Sequence, residues 1–414
     1  GDSPTGKPLL ITAAEASNTV TVFEINAPLR IHDLQGKAHL SPFTGQGVQS
    51  IQGIVTAIGG NGFWIQDPFS DSDVATSEGI FVFTGSSSAM LAARSVGEAV
   101  QVSGTVSEFR PGGNANNLTI TQIGNNNSVQ PLAVAAWAAG EGLNVAATAI
   151  GDDRSPPTEV INFEAANVET GGQFEPARDG IDFWESLEGM WVAVNNAAAT
   201  SPTANFGSSE EIWVLADGGA DATGLTVRGG SLIQPGDFNP ERIQIDDLIN
   251  ATVTLPLVDV GDRLGPIQGV VGYDFNNFEI LVPVAPTVVT PSPLAREVTT
   301  LERAANTLTV ATFNVENLDP GDGAARFASL GQAIVVNLKS PDIITLAEMQ
   351  DNNGPVNNGI VAADLTFQTL IDAIAAAGGP AYTYRQIDPV NNQDGGEPGG
   401  NIRVGFLFDP ARVG

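Results

Sequence analysis

Short apolar segments separated by glycine-rich and asparagine-rich turns fill the first part of the chain. Five of them follow one another between residues 50 and 123: SIQGIVTAI, GFWIQD, GIFVFTG, EAVQVSGTVSEF and NLTITQI. Segments of this length, rich in β-branched and aromatic residues and bounded by glycine, are typical of antiparallel strands. This succession predicts a small β-barrel of the OB-like kind.

A second series of short segments repeats the order of the first. SLEGMWVAV at 186–194 parallels SIQGIVTAI, EIWVLAD at 211–217 parallels GIFVFTG, and residues 260–282 parallel residues 96–121. A recurring order of similar segments indicates an internal repeat. We therefore predict two mainly-β, OB-like barrel modules.

After residue 306 the pattern changes to an alternation of strands and helices. The predicted strands are TLTVATFNVENL, DIITLAE, AYTYRQI and IRVGFLF, and the predicted helices are residues 324–339 and 364–377. The inward residues at helical spacing are Phe327, Leu330, Ile334 and Leu338 in the first helix, and Leu365, Ile371 and Ile374 in the second. Strands alternating with helices predict an α/β layered domain.

These changes of pattern divide the chain into six predicted regions. They are an N-terminal strand segment (1–27), the first β module (28–130), an alanine-rich connector (131–160), the second β module (161–284), a Pro/Thr-rich linker (285–306) and the α/β region (307–414). A chain of 414 residues exceeds one ordinary core, which agrees with several domains.

The charge of the chain limits how it can meet nucleic acid. Lys plus Arg number 17 against 47 Asp plus Glu, so the formal net charge is −30. Unaided electrostatic binding to nucleic acid needs a basic face, whereas a bound divalent cation can bridge acidic protein and phosphate. There is no cysteine, which excludes disulfides and thiolate metal sites, and no apolar run is long enough for a transmembrane helix.

Two polar side chains stand at strand ends in the α/β region. Glu348 ends the apolar strand IITLA, and Asn314 lies in the preceding strand, TVATFNV. Ligands of layered α/β folds bind outside the carboxyl ends of the strands. A carboxylate with an amide suits a hard cation such as Mg²⁺. The alternative interpretation is a solvated loop glutamate and a turn asparagine, and the pattern alone leaves both open.

The region resembles a known superfamily of phosphoester hydrolases. TVATFNVENLD, an amphipathic helix, SPDIITLAEMQDNNG and GGNIRVGFLFDPARV look like the opening of the endonuclease/exonuclease/phosphatase superfamily, with its DNase I-like fold. More narrowly, the region is similar to secreted bacterial nucleases of the ExeM/NucH type. IHDLQGKAHLSPFTGQGV, VSGTVSEFRPGG and DGIDFWESLEGM resemble the upstream regions of that family, so the similarity runs from about residue 28 to 414.

The resemblance implies roles for three residues. Glu348 matches the metal-binding glutamate, which would hold Mg²⁺ or Mn²⁺ against a phosphodiester. Asn314 matches the asparagine of the first strand, which supports the metal and phosphate and is itself a candidate metal ligand and catalytic residue. Gln350, two residues after the glutamate, is a candidate phosphate contact.

The chain also departs from the family pattern. The family supplies a histidine pair and further carboxylates from the second half of the domain, but both histidines here, His32 and His39, lie far upstream. Residues 307–414 therefore match the N-terminal half of a DNase I-like α/β sandwich. We expect such a half to expose its core face, the chain to be cut at both ends, and these 414 residues alone to be inactive.

Other residues offer cation ligands. His32, His39 and Asp33 could bind a transition metal, although loop hydrogen bonding is the better interpretation of that spacing. Ca²⁺ could occupy two acidic loops, for which surface turns are the alternative; their residues are Asp67, Asp71 and Asp73 in the first and Asp319 and Asp322 in the second.

The sequence as a whole predicts a secreted or cell-surface, metal-dependent nuclease that hydrolyses extracellular DNA or RNA through a bound metal. Its location rests on the resemblance. Two alternatives stay open: a phosphatase or phosphodiesterase acting on small phosphoesters, and a non-catalytic extracellular structural or adhesive protein built from β modules. Self-association is also left open.

Overall fold

The computed structural model describes residues 9–14, 19–24, 28–86, 88–131, 145–207, 209–249, 252–393 and 396–413. It divides the chain into two units, residues 1–294 and 295–414, at a point inside the predicted linker. Within these described ranges, no helix has the length and apolar character needed to cross a membrane.

The elements of the first unit are almost all strands. The strands are β1 (Leu9–Ala14), β2 (Thr19–Glu24), β3 (Gly47–Ile58), β4 (Gly62–Gln66), β5 (Gly79–Phe83), β6 (Ala99–Phe109), β7 (Ile120–Pro131), β8 (Thr148–Ile150), β9 (Trp191–Val194), β10 (Ala198–Ala199), β11 (Ala204–Asn205), β12 (Glu210–Leu215), β13 (Ile243–Asp246), β14 (Arg263–Leu264), β15 (Ile267–Asp274), β16 (Asn277–Leu281) and β17 (Val288–Thr290). Three short helices accompany them: α1 (Ile31–Gln35), α2 (Ala89–Ala92) and α3 (Gly180–Glu185).

The first module is a closed barrel, as predicted. Its strands follow the order β3-β4-β5-β7-β6, and β6 pairs back onto β3. All neighbours are antiparallel except β5 and β7, which run parallel. Alternate residues point inward, so that Ile51, Phe63, Ile80 and Val102 fill the interior. Closure leaves no open sheet edge, which explains why strands this short are stable.

The second module does not close, so the prediction of a second barrel was wrong. Its sheet runs in the order β17-β14-β10-β12-β13-β16-β15-β9-β8, with β11 beside β12, and is a half-barrel. The antiparallel run β9-β15-β16 repeats the run β3-β6-β7 of the first module. The extra strand β13 lies between β12 and β16, where the first module joins β5 directly to β7. This insertion spreads the sheet and keeps its ends apart.

The predicted connector is partly structural. Residues 132–144 lie outside the described residues, but β8 within the same predicted region pairs parallel with β9 at the edge of the second sheet. The two-stranded β1–β2 hairpin contains the predicted N-terminal strand and a further strand that the prediction missed.

The second unit is a mixed sheet with helices packed on one face. Its elements are β18 (Val310–Leu318), α4 (Gly323–Gln332), β19 (Ile343–Met349), α5 (Asp364–Ala376), β20 (Thr383–Gln386) and β21 (Arg403–Phe408), and a π-helical turn, Ala333–Asn337, extends α4. The sheet order is β18-β19-β21-β20, with β18 and β19 parallel. The predicted strands and helices of this region are therefore confirmed, and their inward residues pack on Ile344 and Leu346. Leu365 is the exception: it is exposed at the start of α5.

The opposite face of this sheet carries uncovered apolar side chains. Val310, Val404 and Phe406 are 63%, 54% and 44% exposed. No second sheet packs on this face within the residues that the structure describes. The exposed face agrees with what we expect of half a sandwich, but the DNase I-like sandwich itself stays a prediction.

Candidate active site

Asn314 and Glu348 meet at the end of the only parallel strand pair described in the second unit. Asn314 lies on β18 opposite Ala347 of β19, one residue before the glutamate. The Asn314 Nδ2 donates a hydrogen bond of 2.7 Å to the Glu348 Oε1. Asn314 is exposed and Glu348 is half-buried, so the pair faces solvent. The structure thus brings together the two residues on which the sequence argument depends.

A break in strand alternation aims Glu348 at this position. Leu346 and Met349 are both fully buried although they are three positions apart, which a regular strand with a period of two does not allow. Glu348 has a φ of +60°, and the pairing of β19 with β21 shifts register between Leu346 and Met349. The bulge returns Met349 to the core and turns the carboxylate outward. Bulges of this kind commonly re-aim side chains beside active sites.

The neighbouring strand β18 breaks in the same way. Val315 and Leu318 are both buried, and the two residues between them, Glu316 and Asn317, each have a φ of +55°. Non-glycine residues with positive φ are uncommon, and runs of them mark strained segments that their surroundings hold in place. Two adjacent strand ends therefore share one irregular, exposed edge.

The hydrogen bonds of Asn314 fix the orientation of its amide. The Asn314 Oδ1 accepts a hydrogen bond of 2.7 Å from the backbone N–H of Glu316, while its Nδ2 faces the carboxylate. The reverse orientation would place the Asn314 Oδ1 against the Glu348 carboxylate and the Asn314 Nδ2 against the N–H of Glu316, so neither contact could be a hydrogen bond. In this arrangement Asn314 orients the Glu348 carboxylate through its Oε1. Direct ligation of a metal by Asn314 stays a prediction.

Gln350 occupies a more buried position. It is 2% exposed, its side chain packs beneath the backbone of Gly400, and its backbone N–H donates to the carbonyl of Leu318 at 3.0 Å. The buried Gln350 Oε1 has no hydrogen-bond partner among the described residues. An acceptor without a partner at this depth is unusual in a native protein. Its role as a phosphate contact stays a prediction.

A network behind the strand end holds the loop that follows Glu348. The Asp351 Oδ2 accepts from the Asn401 Nδ2 at 2.8 Å, and the Asp351 Oδ1 accepts from the backbone N–H of Asn353 at 3.0 Å. Asn352 accepts from the backbone N–H of Leu365 at 2.9 Å, which satisfies a free donor at the start of α5. The acidic and amide residues after Glu348 therefore form a supporting turn.

The sequence analysis missed an arginine beside this edge. A groove of about 430 Å³ is lined by Asn314 together with Phe313, Glu316 and Arg326 of the second unit. Arg326 on α4 donates to the carbonyls of Val315 and Glu316 at 3.0 and 3.1 Å, and its buried Nε has no hydrogen-bond partner among the described residues. The sequence offered one signal for this residue: the chain has only 17 Lys and Arg residues, so an arginine close to the predicted site stands out.

At the other end of β19, the buried carboxylate of Asp342 is paired with two arginines. Asp342 is fully buried, and its Oδ1 accepts from the Arg303 Nε at 2.9 Å and the Arg412 Nε at 2.8 Å. The hydrogen bond from Arg412 is the main reason why the pKa of Asp342 lies well below its usual range. This cluster stabilises the fold, whereas Glu348 at the opposite strand end contacts a neutral amide and has no cationic partner among the described residues.

The fold and site define a mainly-β protein with a mixed α/β unit that carries an exposed carboxylate–amide pair. A family model described as "Domain of unknown function (DUF8508)" matches residues 149–292, which cover the half-barrel module. No curated protein matches the chain.

Solved structures of the single-stranded DNA binding protein from Thermus aquaticus give weak matches. The wild-type protein is 10% identical, with a TM-score of 0.16 over 60% of this chain and 96% of that chain. A deletion mutant of it is also 10% identical, with a TM-score of 0.15 over 62% and 98% of the two chains. Likeness at these TM-scores carries no argument about fold or ligand.

Proposed function

We propose that the second unit carries the metal-binding part of a secreted nuclease that hydrolyses phosphodiester bonds in DNA or RNA. The observation that supports this most is the contact between Asn314 and Glu348 at an irregular strand edge. The strained backbone at this edge, and a carboxylate with no cationic partner among the described residues, favour a functional site over a surface turn.

Glu348 would hold Mg²⁺ or Mn²⁺, and Asn314 would keep its carboxylate in place. The donors fit such an ion, because Mg²⁺ in proteins commonly takes one or two carboxylates and fills its other positions with water and substrate phosphate. The ion would neutralise charge that develops on the phosphate and leaving oxygen. Arg326 in the adjoining groove is paired with Glu316 at 3.2 Å, so a phosphate would compete with that carboxylate for the guanidinium.

Residues 307–414 contain no histidine, so water activation has no histidine base in this part of the chain. The proposal therefore assigns metal and phosphate binding to these residues and leaves proton transfer to groups elsewhere in the native protein.

The test compares two glutamate variants of the native polypeptide. Glu348→Gln removes the metal ligand, and Glu302→Gln makes the same change at an exposed position of the second unit outside the groove. Loss of a metal's charge stabilisation is worth several kcal/mol, so we expect Glu348→Gln to lower Mg²⁺-dependent cleavage of plasmid DNA at least about a hundredfold. Glu302→Gln should cleave like the wild type.

Substrate choice separates the proposal from its nearest alternative. A nuclease cleaves plasmid DNA or RNA faster than p-nitrophenyl phosphate, whereas a phosphatase shows the reverse preference. Retention of wild-type cleavage by Glu348→Gln would refute the assigned site. Absence of metal-dependent cleavage of every phosphoester by the wild-type protein would favour a non-catalytic role for the β modules.

A further inference from the structure

His32, Asp71 and Glu78 form a compact cluster in the first module, far from Glu348 in sequence. His32 lies on α1, Asp71 lies in the loop between β4 and β5, and Glu78 immediately precedes β5. One possible ligand atom from each side chain lies within 4.8 Å of the other two. The His32 Nδ1 and Asp71 Oδ2 are 4.0 Å apart. Within the described residues, this is the single group of three or more such side chains at that spacing.

Two atoms of the cluster are buried without partners. The His32 Nδ1 and the Glu78 Oε1 make no hydrogen bond with the described residues, and Glu78 is only 5% exposed. Ser70 and the backbone of Asp71 donate to the Glu78 carboxylate, but its buried Oε1 loses its water without gaining a donor, which is costly. A cation between the three side chains would satisfy both atoms at once.

The other acidic residues of this loop already have cationic partners. Asp67 is paired with Arg30, and Asp73 is paired with Lys37. Asp67, Asp71 and Asp73 therefore do not assemble as the calcium ligands considered from the sequence. His39 is likewise held elsewhere, by Asp182 and Glu185, so the two histidines share no site. Asp71 is therefore the aspartate of this loop that faces His32.

We propose that His32, Asp71 and Glu78 bind a divalent first-row transition metal ion, Zn²⁺ or Mn²⁺. An imidazole with two carboxylates suits such ions better than Ca²⁺ or Mg²⁺, which take oxygen ligands. Zn–N and Zn–O distances of about 2.0–2.2 Å require the ligand atoms to approach by roughly 1 Å, which side-chain rotation supplies.

Neighbouring groups hold Asp71 in place, and His32 turns one nitrogen towards it. The His32 Nδ1 faces Asp71, while the Nε2 lies 3.9 Å from the Asp33 Oδ1, which is beyond hydrogen-bond distance. The Asp71 Oδ1 accepts from the backbone N–H of Asp73 at 2.7 Å and from the Thr76 hydroxyl at 3.2 Å. Asp71 is partly exposed and gives the ion a path from solvent. The bound ion would tie α1 to the loop and strand of the barrel.

The experiment titrates Zn²⁺ and Mn²⁺ into chelator-treated full chain by calorimetry, with thermal unfolding measured alongside. We expect wild-type protein to bind an ion and unfold at a higher temperature with it. Glu78→Gln should weaken this binding at least about tenfold and abolish the metal-dependent rise. Glu98→Gln, which makes the same change in the same module at a residue paired with Arg94 outside the cluster, should leave both unchanged.

Two further measurements keep the outcome clear. Without metal, Glu78→Gln should unfold close to the wild-type temperature, because glutamine has nearly the same shape and keeps an oxygen acceptor, so a lost metal response cannot come from misfolding. Glu348→Gln should keep this binding, which separates it from the proposed nuclease site. Wild-type affinity in Glu78→Gln, or no metal binding that depends on Glu78, would overturn the proposal.

Discussion

His39 forms a buried charge cluster between the two β modules of the first unit. It is 2% exposed, its Nε2 lies 2.7 Å from the Asp182 Oδ1, and its Nδ1 lies 3.1 Å from the Glu185 Oε2. Because both ring nitrogens face carboxylates, both must donate, and the imidazole must be protonated. Replacement by glutamine removes this charge and leaves two buried carboxylates without their cation.

The pKa of His39 sets the size of the effect. Burial by itself would lower this pKa, but hydrogen bonds from the ring to Asp182 and Glu185 outweigh it and raise the pKa to about 9. Against about 6.5 in the unfolded chain, the difference corresponds to about 3 kcal/mol of stability. Because the folded pKa is the higher one, this stabilisation is complete below about pH 6.5 and is lost as the pH rises through about 9.

Glu185 reinforces the same trend. Burial raises the pKa of Glu185, so keeping its charged form in the folded protein becomes a cost as the pH rises. Both groups therefore predict a first unit that is less stable at alkaline pH.

Tryptophan fluorescence can follow this unit alone, because all five tryptophans of the chain precede residue 294. In urea at pH 6, we expect His39→Gln to lower the free energy of unfolding by about 3 kcal/mol. The two proteins should converge towards pH 10, where wild-type His39 has lost its proton. A difference below about 1 kcal/mol at pH 6, or a difference that does not change with pH, would refute the reasoning.

Two predictions concern the second unit, which circular dichroism can follow. Asp342→Asn should lower its free energy of unfolding by about 3 kcal/mol, since it breaks a buried pair with Arg303 and Arg412. The depressed pKa of Asp342 means that this contribution is present above about pH 3.9 and falls away in more acidic solution, so the variant should lack that part of the acid sensitivity. Glu348→Gly should raise stability by about 1 kcal/mol, because glycine accepts the φ of +60° without strain. Glu348→Ala, which keeps the strain, should not, and an equal gain in both variants would contradict a strained backbone at this position.

Local patterns in the sequence determined most of the secondary structure. Short β-branched and aromatic segments bounded by glycine located the strands of the barrel, and apolar residues at helical spacing located α4 and α5 within a few residues. The meeting of Asn314 and Glu348 also followed from local information, because neighbouring parallel strands bring their carboxyl ends to one edge. Leu365 was misplaced because it lies in the first turn of α5, where the helix face is not yet covered.

Only the tertiary structure decided which distant segments meet. Strand order kept the second module open, since β13 pairs between β12 and β16, and no periodicity encodes such an insertion. Contacts across 143 residues joined His39 to Asp182, and loop closure joined His32 to Asp71 and Glu78. The bulge that turns Glu348 outward arises because Leu346 and Met349 must both reach the core. Sequence patterns report the neighbours of a residue along the chain, whereas burial and charge pairing depend on neighbours in space.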